Sequence, residues 1–163
     1  NSTELGNSGF RFKDLYLSSG ITFGTRSNKL DDYEEGTFTP EILNGWGVLS
    51  PTYNHQQGYY TKIGSVVHVA FQIWLSGGSL NSNKLTVQGF PFSAGRNANS
   101  TFQTANGYFT TASSSADTVF LKVSDNGIYP SFHYKQSNGH AAFTGTNAGS
   151  NFRLTFSGTY FTA

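Results

Sequence analysis

Residues 65–75 alternate strictly, with Val67, Val69, Phe71, Ile73 and Leu75 in one set and Val66, His68, Ala70, Gln72 and Trp74 in the other. A period of two sends successive side chains to opposite faces of a strand, so one face here is apolar and seeks burial. Gly77-Gly78 closes the run. Such a strand needs partners, and the composition supplies strand and turn residues rather than helix formers. The chain of 163 residues holds fifteen Phe, nine Tyr and two Trp beside nineteen Gly. Aromatic and β-branched residues suit a pleated, half-buried surface, and Gly and Asn suit tight turns. A chain of this length buries about two-thirds of its unfolded surface on folding, enough for one real core.

Further strands are expected at 37–43, 84–89, 101–111, 118–123, 127–135, 140–144 and 151–162, with Pro40 assigning the first of them an edge position. Asn44-Gly45, Asp125-Asn126-Gly127, Ser137-Asn138-Gly139 and Asn147-Ala148-Gly149 are turn signals. Nothing supports a helix longer than a turn or two. The reading is all-β, with an antiparallel, jelly-roll-like β-sandwich head over residues 37–163.

Residues 1–36 differ. Gly9-Phe10-Arg11-Phe12-Lys13-Asp14-Leu15-Tyr16-Leu17 alternates imperfectly, Ser18-Ser19-Gly20 is a turn signal, and Ile21-Thr22-Phe23-Gly24 is another short strand candidate. Strands this short are marginal alone and would be stable if wound with copies from other chains. Then Asp31, Asp32, Glu34 and Glu35 place four carboxylates within five residues, which reads as a solvated connector or collar. Position 1 is Asn and Met is absent, so the chain is expected to be a fragment or a processed product.

Only 12% of residues are charged, the net charge is +1, and the Lys and Arg residues are scattered singly. Nucleic acid is therefore not the expected partner, since phosphate neutralisation needs clustered cations. A surface rich in hydroxyls and amides suits neutral polar ligands such as glycans, or close packing between subunits. With no Cys, disulfide frameworks and thiolate metal sites are excluded. No run approaches the length of a membrane-spanning helix, and no membrane insertion is expected.

The run Phe12-Lys13-Asp14-Leu15-Tyr16-Leu17-Ser18-Ser19-Gly20, followed by Asn28-Lys29-Leu30-Asp31-Asp32-Tyr33-Glu34-Glu35-Gly36-Thr37-Phe38-Thr39-Pro40, resembles the C-terminal region of tail-fibre proteins of tailed phages, especially those of marine bacteria. Gly58-Tyr59-Tyr60-Thr61-Lys62-Ile63-Gly64-Ser65-Val66-Val67, Gly89-Phe90-Pro91-Phe92 and Leu154-Thr155-Phe156-Ser157-Gly158-Thr159-Tyr160 resemble the same group. The similarity runs from about Glu4 to the C-terminus, and its specific part is Leu30-Asp31-Asp32-Tyr33-Glu34-Glu35-Gly36-Thr37. Residues 94–151 match no nameable pattern. The resemblance implies an elongated homotrimeric virion protein whose tip recognises a host polysaccharide or lipopolysaccharide outside the cell. It carries over no residue-level site.

Chemistry is not expected. Glycoside hydrolysis needs two facing carboxylates, and beyond Glu41 the main domain offers only Asp117 and Asp125, the latter explained by its turn. This leaves open a site shared between subunits. The acidic run is expected to pair with cations such as Arg26, Lys29 or Lys62 of another chain rather than to bind Ca²⁺. His55, His68, His133 and His140 lack metal spacing, so no metal or other cofactor is expected.

Glycan sites pair an aromatic ring with amides and hydroxyls. Trp46, between Gly45 and Gly47, is the leading candidate for contact with a sugar or with a neighbouring subunit, and Tyr53 and His55 in the polar loop after it could join it. A second candidate patch holds Tyr129, His133, Tyr134, Lys135, Asn138 and His140, with Phe132 assigned to the core. The face shared by His68, Gln72 and Trp74 is either exposed or between subunits. The whole reads as an interwoven stalk and collar at 1–36 and a receptor-binding head at 37–163. Its rivals are a purely structural trimerisation cap and a glycan depolymerase.

Overall fold

The computed structural model describes residues 8–22, 29–30, 32–45, 51–78, 80–95, 108–110, 119–122, 131–136, 139–142, 144–148 and 151–162. The chain divides into two compact units, Asn1–Asp32 and Tyr33–Ala163.

In the first unit, β1 (Ile21–Thr22) pairs antiparallel with β2 (Lys29–Leu30), Ile21 opposite Leu30. The strand expected around Gly9 to Leu17 does not form in the single chain. A lone extended segment has no edge to satisfy its amides and takes irregular, solvated backbone instead. Its large side chains stand exposed, Phe10 at 78%, Tyr16 at 92%, and Phe12, Leu15 and Leu17 at half or more, as does Ile21 of β1.

The second unit is all-β, its strands paired antiparallel, with one helical turn, α1 (Gly145–Ala148), among the described residues. Its strands are β3 (Tyr33–Phe38), β4 (Glu41–Asn44), β5 (Thr52–Ile63), β6 (Val66–Gly77), β7 (Leu85–Gln88), β8 (Tyr108–Thr110), β9 (Val119–Lys122), β10 (Ser131–Gln136), β11 (Gly139–Ala142) and β12 (Arg153–Phe161). One sheet runs β3-β5-β6-β12-β8; the other runs β11-β10-β7-β4, with β9 also on β10. The two sheets share one core. Val67, Val69, Phe71, Ile73 and Leu75 of β6 meet Leu154, Phe156 and Tyr160 of β12, together with Ile42 of β4 and Leu85 and Val87 of β7. The face division read from 65–75 is therefore the observed one.

Three expectations need correction. Of the acidic run, Glu34 and Glu35 lie in a strand rather than a connector, Asp32 immediately precedes it and Asp31 is outside the described residues; the anticipated boundary between 36 and 37 falls inside β3. An edge strand tolerates carboxylates because one side of its ladder faces water. Glu34 also finds a cation within its own chain: Lys62 Nζ lies 3.4 Å from Glu34 Oε1 and 5.5 Å from the centre of the Phe92 ring. Lys62, one of the cations expected to face the acidic run, thus meets it within the chain, and Arg26 lies outside the described residues.

Second, the single strand expected at 37–43 is two strands in different sheets. Pro40, buried and without an N–H to donate, breaks the ladder between β3 and β4. Its carbonyl accepts a bond from Gln56 Nε2 at 3.0 Å. Among the described strands, both pieces take the edge position assigned through Pro40. Third, the residues around Tyr53 and His55 form a strand, β5, rather than the expected polar loop. A two-residue turn, Gly64-Ser65, joins β5 to β6, with Ile63 opposite Val66. Gly64 holds φ at +57°, which hairpin turns of the primed kind require at that position.

Part of the aromatic excess lies in the core. Segment 89–95 crosses the inner face, where Phe90 stacks on Phe38 at 5.6 Å and meets Phe71 and Tyr160 edge-on at 5.9 Å. Phe71 stacks on Phe156 at 4.9 Å. Rings also cover glycines on the paired strand: a Cβ at Gly58 would meet the Phe38 ring at 2.5 Å.

Tyr160 Oη donates to the Phe92 carbonyl at 2.9 Å, tying segment 89–95 to β12. Burial disfavours the phenolate and pushes the Tyr160 hydroxyl up to about 12. Between its ordinary value near 10 and this raised one, the unfolded chain binds fewer protons than the folded one, so stability falls as pH rises. Urea unfolding is therefore expected to show constant stability from this group below pH ~10 and a decline above it, which Tyr160→Phe flattens. An unchanged alkaline slope in Tyr160→Phe would count against the assignment.

Candidate functional site

The outer face of the sheet β3-β5-β6-β12-β8 is built in cross-strand rows, because register aligns one residue from each strand. At one end Tyr33, Ile63, Val66 and Phe161 form an exposed apolar row. Glu35, Thr61, His68 and Thr159 follow, with His68 Nδ1 3.1 Å from Thr159 Oγ1. Tyr33 Oη donates to Glu35 Oε2 at 2.6 Å, and this bond to a carboxylate raises the Tyr33 hydroxyl above its ordinary range. Next come Thr37, Tyr59, Ala70 and Ser157, then Gln57, Gln72 and Thr155. Gln72 Nε2 donates to Thr155 Oγ1 at 3.0 Å, and Gln57 Nε2 to the Gly58 carbonyl at 3.3 Å. The far row is His55, Trp74 and Arg153. There the Arg153 guanidinium carbon sits 4.0 Å from the centre of the Trp74 ring, and Trp74 stays 38% exposed.

This face offers a mostly neutral surface with aromatic rings, amides and hydroxyls at regular spacing. Among the described residues no cluster of three or more His, Asp or Glu side chains could hold a metal ion. Glu41 is engaged across strands, accepting from Gln88 Nε2 at 2.5 Å.

The sequence candidates separate. Trp46, Tyr129 and Asn138 lie outside the described residues, as do Asp117 and Asp125. Tyr53 and His55 do not form one patch. They are two residues apart, which in a regular strand gives a common face, but an irregularity at Asn54 places Tyr53 opposite Leu75 and His55 opposite Trp74. A bulge re-aims side chains in this way. Tyr53 packs half-buried against the core, and its hydroxyl accepts from the Ile42 N–H at 2.9 Å. Burial, opposed by this bond and aided by the Glu41 charge, raises its pKa above the ordinary value. Tyr53 thus braces β4, while His55 faces solvent. His133, Tyr134 and Lys135 are consecutive positions of β10, and His140 on β11 is the register partner of Lys135.

Arg153 and Gln57 carry no local sequence signal that marks them as members of a site. Trp74 and Gln72 were legible as an outward set from the alternation of β6, but their neighbours come from β5 and from a strand eighty residues away. No known protein family, curated protein or solved structure matches the chain.

Proposed function

We propose that the chain is the C-terminal part of a phage-type tail fibre, a virion module that trimerises and binds a glycan of the host cell surface without catalysing a reaction. The observation that carries the reading is the exposure of Phe10, Phe12, Leu15, Tyr16, Leu17 and Ile21 along one short stretch. A run of large apolar side chains left in water favours association, and three identical chains are the partner that the tail-fibre resemblance implies. The strand missing around Gly9 to Leu17 would form on meeting strands of two other copies, giving the interwoven stalk. The second unit then serves as a jelly-roll-like head, and three copies of its outer face bind a polysaccharide with avidity that single weak sites lack.

Light scattering after size exclusion is expected to give the mass of three 17.7-kDa chains. Combined Phe10→Ser, Phe12→Ser and Leu15→Ser should return the mass of one chain, with the β-rich circular dichroism of the head retained. A compact wild-type monomer at micromolar concentration would defeat the fibre reading. The same exposed side chains would equally serve a structural cap that reads no receptor. Binding of the wild-type trimer on a glycan array separates the two, since a cap leaves the array blank.

A further inference from the structure

We propose that the Arg153 end of the outer face is an oxyanion subsite, which makes the preferred ligand an acidic sugar rather than a neutral one. This rests on the glycan-binding reading and assigns its ligand class.

Arg153 is held, half-buried, with its guanidinium carbon 4.0 Å from the centre of the Trp74 ring. Stacking on an aromatic ring orients the planar fork in advance, so fewer rotamers are lost when it meets a carboxylate or phosphate. Among the described residues Arg153 forms no ion pair, and its buried Nε has no hydrogen-bond partner. A partly desolvated guanidinium without a carboxylate is a strong donor for an anion supplied from outside.

Among the described side chains of this face the charge is also isolated. Of the described side chains on this face, the other formally charged one is Glu35. It lies three rows away, about 20 Å along the strands, which is beyond the screening length of about 8 Å at physiological salt. Beside Arg153, the Gln72 amide and the Thr155 hydroxyl offer hydrogen bonds, and the exposed part of Trp74 offers apolar contact. A ring with hydroxyls and one oxyanion matches this set. A polyanion such as nucleic acid does not, because it needs several cations in a row.

Calorimetric titration of the full chain tests the assignment with four probes: trigalacturonate, galactotriose, mannose 6-phosphate and inorganic phosphate. One of the acidic sugars is expected to bind at least about tenfold tighter than neutral galactotriose, and more weakly as salt rises. Whether the carboxylate or the phosphate probe wins tells which oxyanion is read. Arg153→Gln should abolish the preference while leaving the thermal melt in place, and Arg153→Lys should restore only part of it. Equal binding of acidic and neutral sugars, an unchanged preference in Arg153→Gln, or inorganic phosphate binding as well as the sugars would overturn the proposal. Array glycans bound equally by wild type and Arg153→Gln would remove the subsite and leave the receptor reading standing. An array blank for wild type would end both.

Discussion

Phe71→Ala is expected to destabilise the second unit by about 3–5 kcal/mol. Phe71 is 3% exposed, sits in the middle of β6, and touches the rings of Phe38, Phe90 and Phe156. Truncation removes the transfer free energy of a buried ring and leaves a cavity whose walls are held by two sheets and by segment 89–95. The stacked and edge-on contacts add about 0.5–1.5 kcal/mol for each pair lost, part of which the first figure already includes. Denaturant unfolding at fixed protein concentration measures the effect as a shift in midpoint with little change in slope. A loss under about 1 kcal/mol would mean that Phe71 is not at the centre of the core.

Gly89→Ala should rank next, although the change adds only a methyl group. Gly89 holds φ at +87°, a conformation that costs an L-residue about 1–3 kcal/mol. Its Cβ would also run into the Thr39 carbonyl oxygen, on backbone that cannot swing aside as a side chain can. Thr39-Pro40 is the link that takes the chain from β3 in one sheet to β4 in the other, so displacing it disturbs both edges. Gly64→Ala is the control: φ there is +57°, but nothing lies within 4 Å of the added atom. If only backbone strain matters, the two variants melt alike. If the clash matters, Gly89→Ala melts markedly lower.

Strand β6 was legible because its alternation is complete and one of its faces is wholly apolar. Strand β12 and the β10–β11 hairpin were legible for similar reasons, from alternation and a turn signal. Strand β5 was not, since its inner positions include Gln56, Gly58 and Lys62, residues that carry no hydrophobic period. They become inner because β6 imposes its register through the Gly64-Ser65 turn, and because Phe38 fills the space that Gly58 leaves.

The candidate site divides in the same way. His55 and the outward set of β6 were named from the chain, yet Tyr53 was grouped with His55 because nothing in the residue order announces a bulge at Asn54. Arg153 could not be joined to Trp74 before the pairing of β6 with β12 was known. The residue order thus determined that this protein is all-β, which face of β6 is buried, and that its first residues carry apolar side chains they cannot cover. The tertiary structure decided the register that assembles the His55, Trp74 and Arg153 row, the crossing at Pro40, and the internal partner of Glu34. The physical reason is that alternation and turn propensity are local, whereas register and cross-strand pairing depend on residues far apart in the chain.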